Sequence, residues 1–300
     1  MSARGIAAAP VTWGVWERTI ERDDLVPPAA LLASVRALGF TAIELGPAGY
    51  FGANGSSVRA ELGAFGLELV GAFVPLRLTG QENELVEDLA ELDRTLAVLA
   101  DQPAAVALLA DAGTPERLAA AGRPNELRRT ALRGAALDAA VARLERAADR
   151  CRAAGVAAAL HPEVGSFVES PQEIETFLDR VDVGLCLDTG HIAIGGGDPV
   201  KFARDLAERI RHVHLKDVSS ELLARLRSSD IDVETAWEQG LFCTFGDGEI
   251  DLAGVLACLS SYEGWLVVEQ DRIAVQVGDV AAVRTAERRN LEFVRERLEA

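Results

Sequence analysis

The sequence is poor in lysine, in aromatic residues and in positive charge overall. Lysine occurs only at positions 201 and 216, aromatic residues make up 5%, and the 300 residues carry a formal net charge of −17. Proteins that bind nucleic acids draw most of their affinity from clustered lysine and arginine. The composition therefore argues against a nucleic-acid partner and favours a small neutral substrate. Because lysine is so rare, Lys216 becomes a candidate functional residue.

Long apolar runs are also missing. Hydrophobic residues reach 49%, but they are scattered in short runs, none near the roughly 20 residues that a membrane-spanning helix requires. The first nine residues contain no extended apolar core before a cleavage site, so a secretory signal is not expected. The sequence thus predicts a soluble, cytoplasmic protein with no membrane partner, and it leaves the oligomeric state open, a homo-oligomer included.

Cysteine pairs at metal-binding spacing are absent. The four cysteines lie far apart in the chain and form no CxxC pair. This spacing fits reduced thiols better than a disulfide framework or a zinc knuckle. We interpret them as packing residues; they are Cys151, Cys186, Cys243 and Cys258.

What the sequence does contain is a regular alternation of short apolar runs and longer amphipathic stretches. This alternation is typical of βα units around a parallel sheet, and eight units are found. Since barrels of roughly 250 residues form one domain, we predict a single-domain α/β (β/α)₈ TIM barrel over residues 1–300. Its strands are expected at 6–13, 41–45, 67–74, 104–109, 156–161, 183–187, 211–215 and 265–269.

Helices are expected between the strands, where apolar residues recur at helical spacing. Asp198 and Pro199 illustrate a predicted helix start, with a capping residue before proline at the first helical position. A loop is predicted over 189–197, and an insertion over 218–248, partly helical, is expected to cover one mouth of the barrel. The helices are predicted at 27–38, 57–65, 83–99, 125–154, 198–210, 251–259 and 281–298.

Residues able to bind a metal follow each of the last four predicted strands. Active sites of such barrels form at the C-terminal ends of the strands, and all four histidines of the protein lie there. A strand has a period of two, so alternate residues share a face and converge on one point. The segments are His161-Pro162-Glu163, Asp188-Thr189-Gly190-His191, His212-Val213-His214-Leu215-Lys216-Asp217 and Glu269-Gln270-Asp271.

Any one of these segments has an alternative interpretation as an ordinary polar strand end. Four consecutive strands with ligand-type residues at equivalent positions favour a metal, because carboxylates gathered without a cation repel one another. Mixed carboxylate and imidazole ligands suit one divalent ion, with Mn²⁺ or Co²⁺ favoured and Mg²⁺, Fe²⁺ or Zn²⁺ as alternatives.

The residues at the strand ends resemble those of the xylose-isomerase-like barrels and, more closely, of the inosose dehydratase branch of that family. The similarity spans nearly the whole chain. The segments 188–191 and 214–217 are specific to the superfamily, whereas the strand-one and strand-three segments favour the dehydratase branch. The remaining matching segments are Ala9 to Trp16, Glu44-Leu45-Gly46-Pro47, Gly71-Ala72-Phe73-Val74-Pro75, Leu160-His161-Pro162 and Glu269-Gln270-Asp271.

The resemblance implies a metal held by one residue from each of strands five to eight. These residues are Glu163 or His161, then Asp188, His214 and Glu269. Glu163 is favoured on strand five because a carboxylate is the usual superfamily ligand there, although related dehydratases often carry a second histidine at its position. His161 then becomes a candidate for proton transfer.

The resemblance also implies a metal-dependent lyase of myo-inositol catabolism that dehydrates 2-keto-myo-inositol or a similar cyclic ketopolyol. The metal would act as a Lewis acid and stabilise an enediolate, after which the β-hydroxyl is eliminated. The candidate acids and bases are His161, His191 and Lys216, since imidazole and a desolvated lysine titrate near neutrality. Glu44 is a candidate to hold a substrate hydroxyl, and Trp13 a candidate apolar wall beside the ring.

Other activities remain open at this point. A sugar or keto-sugar isomerase or epimerase would use the same metal and enediolate without losing water. A non-catalytic polyol-binding barrel is favoured only if the metal is absent or if Glu163 on strand five disables proton transfer. A DNA-repair endonuclease of the superfamily would need more metal ligands and a basic groove, which this acidic chain lacks.

Overall fold

The computed structural model describes residues 5–102, 104–273 and 279–299. A nine-stranded parallel sheet lies at its centre, and a two-stranded antiparallel sheet, β9 with β10, lies apart from it. The prediction of an α/β TIM barrel is confirmed. The strands are β1 (Gly5–Ala8), β2 (Ala42–Ile43), β3 (Glu68–Leu69), β4 (Gly71–Leu76), β5 (Val106–Asp111), β6 (Ala157–His161), β7 (Gly184–Asp188), β8 (Ile210–Leu215), β9 (Asp217–Val218), β10 (Phe242–Cys243) and β11 (Trp265–Val268).

The third strand of the barrel consists of two parts, β3 and β4, separated by Val70. β3 pairs with β2 on one side, and β4 pairs with β5 on the other. The Val70 N–H donates to Ile43 O at 3.1 Å, and Val70 O accepts from the Val106 N–H at 3.1 Å. This residue therefore joins both sides and closes the ring. Strands five to eight of the barrel are β6, β7, β8 and β11.

Helices surround the sheet and pack their apolar faces against it, as expected for alternating βα units. Within the described residues there are thirteen α-helices, together with 3₁₀ turns at Pro10–Trp13 and Ala207–Arg209. The helices are α1 (Pro28–Leu38), α2 (Gly55–Ala64), α3 (Glu82–Leu99), α4 (Pro115–Ala120), α5 (Pro124–Thr130), α6 (Gly134–Ala154), α7 (Pro171–Arg180), α8 (Thr189–Ile194), α9 (Pro199–Asp205), α10 (Ser220–Arg227), α11 (Val233–Glu238), α12 (Leu252–Cys258) and α13 (Val280–Glu299).

Local sequence signals account for most helix boundaries. α1 begins at Pro28 and ends before Gly39, whose φ of 95° is a conformation that glycine adopts without strain. α9 begins after Asp198, whose side chain accepts from the backbone N–H groups of residues 200 and 201. α7, which the sequence analysis did not predict, begins with a capping box formed by Ser170 and Glu173.

Among the described residues, buried apolar side chains form four clusters, and the two with the most members flank the site. The larger one joins the barrel to the surrounding helices, and Trp13 is fully buried in it. The smaller one lies beneath segment 218–248 and includes Leu223, Leu226, Ala236 and Phe242, which pack on Ile194 of α8. This segment is therefore folded around its own core next to the end of strand six. Among the described residues, no helix has the length and apolarity needed to cross a membrane.

Three predicted boundaries are wrong. The first strand ends at Ala8 rather than residue 13, because Pro10 has no N–H for a ladder bond and begins a 3₁₀ turn. The helix predicted over 125–154 is divided into α5 and α6, with Ala131 extended at the break. The helix predicted to reach residue 210 ends at Asp205, because Ile210 already belongs to β8.

The loop predicted over 189–197 is also wrong in its first part, where the structure has α8. Glycine at 190 and the glycine run at 195–197 disfavour a helix by intrinsic propensity. The Asp188 side chain nevertheless accepts from the His191 N–H at 2.9 Å and caps the helix. Burial of all six residues of α8 then outweighs the propensity.

Candidate active site

The C-terminal ends of β6, β7, β8 and β11 bring together most of the predicted site residues. His161 is the last residue of β6 and Asp188 the last of β7, while Glu269 directly follows β11. In the parallel registers, Asp188 lies beside His214 and Val267 also lies beside His214. The strand order therefore gathers side chains that are up to 108 positions apart in the sequence, from 161 to 269.

Four donor atoms lie close together around His214 Nδ1 and Asp188 Oδ2. His214 Nδ1 lies 3.3 Å from Asp188 Oδ2, 3.0 Å from Glu269 Oε2 and 3.3 Å from His161 Nε2. His161 Nε2 lies 3.4 Å from Asp188 Oδ2. Two donors each about 2.0–2.1 Å from one ion are separated by about 3.0–3.4 Å at octahedral or tetrahedral angles. The observed spacing matches that range.

Two of these oxygen atoms are buried and accept no hydrogen bond of standard geometry, and they contact the Lys216 ammonium and the His214 imidazole instead. They are Asp188 Oδ2 and Glu269 Oε2. Buried carboxylate oxygens are normally hydrogen-bonded or bound to a cation. The ligand atoms of Asp188, His214 and Glu269 lie within 4.8 Å of one another. The residues present thus fit a divalent ion.

Glu44 lies beneath His214 and joins two imidazoles. Its Oε1 atom lies 2.8 Å from His214 Nε2 and 2.7 Å from His212 Nε2. A carboxylate on one ring nitrogen fixes the tautomer and directs the other nitrogen toward a metal. Burial alone would raise the pKa of Glu44, but His214 and His212 outweigh it and hold that pKa well below its usual range. These contacts favour an orienting role over contact with a substrate hydroxyl.

Glu163 lies at the edge of this group rather than at its centre. Its Oε2 lies 3.4 Å from His161 Nδ1, and its Oε1 lies 3.7 Å from His191 Nδ1. The side chain is 24% exposed, whereas that of His161 is 3% exposed. Burial raises the pKa of Glu163 to about 7 and lowers the pKa of His161 to about 3. His161 is therefore a neutral imidazole, as a metal ligand must be.

Lys216 is surrounded by three carboxylates. Its Nζ atom lies 2.8 Å from Asp271 Oδ2, 2.9 Å from Glu269 Oε2 and 3.0 Å from Asp188 Oδ2. Burial would lower the pKa of Lys216, but these carboxylates outweigh it and raise the pKa well above its usual value. The expected titration of Lys216 near neutrality is thus not supported, since the side chain stays an ammonium. As an ammonium it can donate a proton but not accept one.

His191 lies between the carboxylates of Glu163 and Asp271. Its Nδ1 accepts from the Val164 N–H at 3.1 Å, so the proton of the neutral ring is on Nε2, 3.5 Å from Asp271 Oδ2. Burial would lower the pKa of His191, but Glu163 outweighs it and the net shift is upward. Close packing around Gly190 leaves no room for a side chain: a Cβ there would lie 2.8 Å from Lys216 Cβ.

Aromatic side chains flank the polar cluster. The Phe73 ring meets His161 edge-on with centroids 5.4 Å apart, and the Phe242 ring lies 5.6 Å from His191. Lys216 Nζ lies 5.4 Å from the Phe242 centroid. These two rings border the polar cluster, whereas Trp13 is fully buried, and a role for Trp13 as an apolar wall stays a prediction.

A buried polar framework fixes the loop that follows β6. Asp111 accepts from the Phe167 N–H at 2.7 Å and from the Leu78 N–H at 3.2 Å. Glu169 accepts from the Gly165 N–H at 2.7 Å. Arg117, fully buried, donates to Ser166 O at 2.6 Å. The loop that carries Glu163 is therefore held by satisfied hydrogen bonds.

Sequence reasoning did not propose site roles for several of these residues. Asp271 lies in the segment Glu269-Gln270-Asp271. Its position two residues after Glu269, and so on the same face, is a signal that could have indicated a role in the site. Phe73 lies in the strand-three segment 71–75, which resembles the family. Phe242 lies in the predicted insertion and carries no local signal. Cys186, interpreted as packing, lies beside His161 and His214, and burial raises the pKa of its thiol to about 11.

Comparison with known proteins gives the family. The family model described as a xylose isomerase-like TIM barrel matches residues 32–296. An inosose dehydratase of Geobacillus kaustophilus is 31% identical over 272 residues, which cover 89% of this chain and 87% of that protein. The rhizopine catabolism protein MocC of Rhizobium meliloti is 32% identical over 276 residues, which cover 89% and 81% of the two chains.

Solved structures agree with this fold. A D-allulose 3-epimerase from Methylomonas sp. in complex with D-allulose superposes with a TM-score of 0.67 at 17% identity, covering 99% of this chain and 98% of that one. The probable 3-DHS dehydratase AsbF from Bacillus anthracis gives a TM-score of 0.65 at 12% identity, covering 97% and 98%. From the matched residues and this architecture we conclude that the chain belongs to the xylose isomerase-like TIM barrel family.

Proposed function

We propose that the protein is a metal-dependent dehydratase that acts on 2-keto-myo-inositol or a similar cyclic ketopolyol. The observation that carries the metal dependence is the approach of buried Asp188 and Glu269 oxygens to His214 Nδ1, at 3.3 Å and 3.0 Å. The similarity to inosose dehydratase over most of both chains supports the choice of reaction. A cytoplasmic location and a homo-oligomeric state stay predictions.

The proposed metal ligands are Asp188, His214 and Glu269, with a fourth from the end of β6. A divalent ion there, Mn²⁺ or Co²⁺ by preference, would polarise the substrate carbonyl as a Lewis acid. The distances favour His161 Nε2 over Glu163 as the fourth ligand, the reverse of the preference drawn from the sequence. With Nε2 toward the ion, His161 Nδ1 lies 3.4 Å from Glu163 Oε2 and makes no hydrogen bond to it.

The remaining groups are placed to move protons. Glu163 is the partly exposed member of the group, and we assign it to removal of the proton from the carbon next to the carbonyl, with His191 beside it. As that electron pair forms a carbon–carbon double bond, the C–O bond to the β-hydroxyl breaks. Lys216, as an ammonium, supplies the proton with which hydroxide leaves as water, and the resulting enol rearranges to the dione.

The second candidate is an epimerase or isomerase of keto-sugars. The same residues serve it if the removed proton returns to carbon and no C–O bond breaks. The structural likeness to the D-allulose 3-epimerase, which at this identity shows a shared fold, makes this alternative worth testing.

One assay separates the two reactions. Metal-loaded protein is incubated with 2-keto-myo-inositol in deuterated water, and the product is analysed by mass. Loss of one water supports the dehydratase. An unchanged molecular formula with altered stereochemistry, or with deuterium bound to carbon, assigns an epimerase or isomerase instead.

A pair of variants identifies the fourth ligand. We expect His161→Gln to lose metal and Glu163→Gln to retain it with much lower turnover. Elemental analysis of the purified variants gives the metal content. Loss of metal from Glu163→Gln alone would restore Glu163 as the ligand, and full activity without stoichiometric metal in the unmodified protein would overturn the metal site itself.

A further inference from the structure

We propose that Trp237 is a positioning residue that fixes the proton donor Lys216 through Asp271. The inference rests on the proposed function for the role of Lys216, but the contacts on which it depends are independent of the substrate. Trp237 lies on α11, in segment 218–248, which therefore takes part in organising the site rather than only covering the mouth.

The first step is a hydrogen bond from the tryptophan to the backbone of Asp271. The Trp237 indole Nε1–H donates to Asp271 O at 3.0 Å. Asp271 belongs to no strand, since β11 ends at Val268. Its backbone carbonyl is therefore held by a side chain from another segment of the chain rather than by the sheet.

The second step is a neighbouring tryptophan that holds the same stretch of backbone. Trp16 packs against Trp237 with ring centroids 5.3 Å apart, and its indole N–H donates to Ile273 O at 2.9 Å. Arg18 lies over the Trp16 ring and forms an ion pair with Glu234 of α11 at 2.9 Å. Residues 271 and 273 are thus held by two packed indoles.

The third step leads from Asp271 to the lysine. Asp271 Oδ2 accepts from Lys216 Nζ at 2.8 Å, while Phe242 packs against both Lys216 and Trp237. Lys216 has two other carboxylates within 3.0 Å, and both are proposed metal ligands. Asp271 is the one carboxylate of the three that can keep the ammonium beside the metal site when a cation takes the other two.

The consequence is that removing the indole N–H should release Asp271 and let Lys216 shift. Trp237→Phe retains an aromatic ring for packing on Trp16 and Phe242 but deletes the donor. A single hydrogen bond is worth about 0.5–1.5 kcal/mol, or roughly a 2- to 12-fold change in an equilibrium or rate. We therefore expect kcat to fall by a factor in that range, with a smaller change in KM.

Lysine-selective isotope labelling tests the contact directly. Since the chain has only Lys201 and Lys216, protein labelled with ¹³C and ¹⁵N lysine gives two sets of side-chain signals. Lys201, exposed and paired with Asp205, is an internal reference. In Zn²⁺-loaded protein, we expect Trp237→Phe to move the Lys216 Cε and Nζ signals and to leave those of Lys201 unchanged.

Matched variants complete the experiment. Trp16→Phe, which deletes the bond to Ile273 instead, should move the Lys216 signals less than Trp237→Phe does. Trp237→Leu, which also lacks a donor, replaces Trp237→Phe if the latter does not fold. Unchanged Lys216 signals in the Trp237 variant, or equal shifts in the Trp16 and Trp237 variants, would overturn the inference.

A double-mutant cycle on kcat provides a second measurement. If Trp237 acts through Asp271, Trp237→Phe should lower kcat much less in an Asp271→Asn background than in the wild type. Additive effects would contradict the inference. The labelling experiment needs no turnover, so a failure of the proposed dehydration and a failure of this inference are distinguishable.

Discussion

The two halves of the barrel mouth use the same residue types in different ways. On strands one to four the carboxylates are Glu44 and Asp111, and their oxygens accept from imidazoles or backbone N–H groups. On strands five to eight, one oxygen of Asp188 and one of Glu269 accept no hydrogen bond, and both lie within 3.0 Å of Lys216 Nζ and within 3.3 Å of His214 Nδ1. Buried acids alone therefore do not mark the reactive half. What marks it is the gathering of several carboxylates around one imidazole and one ammonium, because carboxylates at this spacing repel one another unless cations lie among them.

The largest expected effect comes from exchanging aspartate for asparagine in each half. Asp188→Asn should lose its metal, with an affinity reduced by more than the roughly 100-fold typical of residues outside the ligand set. Asp111→Asn should keep the metal and lose about 1–3 kcal/mol of unfolding free energy, since one backbone N–H loses its acceptor. Elemental analysis and urea denaturation measure the two outcomes. Equal metal loss in both variants would remove the distinction between the halves.

Arg117 tests how strongly the supporting framework stabilises the fold. It is fully buried and pairs with Glu173 at 2.9 Å, while also donating to Ser166 O. Arg117→Ala leaves Glu173 without its cation and should cost about 3–5 kcal/mol of unfolding free energy. The control is Arg129→Ala, an exposed partner of Glu126, which should cost less than about 1 kcal/mol. Similar losses in the two variants would contradict the buried framework.

A substitution of Glu44 tests whether strands one to four influence the metal site on strands five to eight through the His214 imidazole. Glu44→Gln weakens the hold on His214 Nε2 and should lower metal affinity by about 10- to 100-fold. Glu68→Gln, an exposed change on the neighbouring β3, is the control and should leave the affinity unaltered. Competition with a chelating dye gives the affinities. If Glu44→Gln binds metal as tightly as the wild type, Glu44 does not orient the ligand.

The smallest expected effect concerns a buried acid outside both halves. Glu287 on α13 accepts from Asn290 Nδ2 at 2.9 Å, and burial raises its pKa from 4.5 to about 8. The folded state thus binds this proton more tightly than the unfolded state, so stability present below pH 4.5 is lost as pH rises toward and through 8. Glu287→Gln should remove this pH-dependent loss of stability.

Thermal or urea unfolding between pH 5 and pH 9 measures this difference. The two proteins should have similar stability at the acidic end and diverge at the alkaline end, with the variant more stable. Glu292→Gln, an exposed change on the same helix, should keep the pH dependence of the wild type. A parallel pH profile for Glu287→Gln would show that this carboxyl does not titrate in the expected range.

The fold and the second half of the mouth could be predicted because their signals are local. A strand followed by a polar residue places that residue at the C-terminal edge of the sheet, and His161, Asp188, His214 and Glu269 all obey this rule. The role of Glu44 could not be predicted, because its partners lie 168 and 170 positions away. Which barrel residues face each other depends on strand stagger, which residue types do not reveal.

The other features that the sequence did not predict have a similar physical origin. α8 forms against the propensity of its glycines, because Asp188 caps it and the surrounding core buries it. Trp237 and Phe242 reach the site only because segment 218–248 folds on its own apolar cluster. Tertiary packing decides both features, and a single sequence shows periodicity but not which surfaces meet.

The closure of the barrel at Val70 has a dynamic consequence. β2 pairs with β1 and with β3 over two residues each, whereas β4 and β5 pair over six. Segments with the fewest ladder bonds open at the lowest free energy and exchange their amide hydrogens first. Glu44 follows β2 directly, and its own N–H is held by Ala8 O. Transient opening of the β2 pairing would therefore release the Glu44 carboxylate from His214. Fluctuations of strands one to three would then determine how rigidly His214 is held on strand seven.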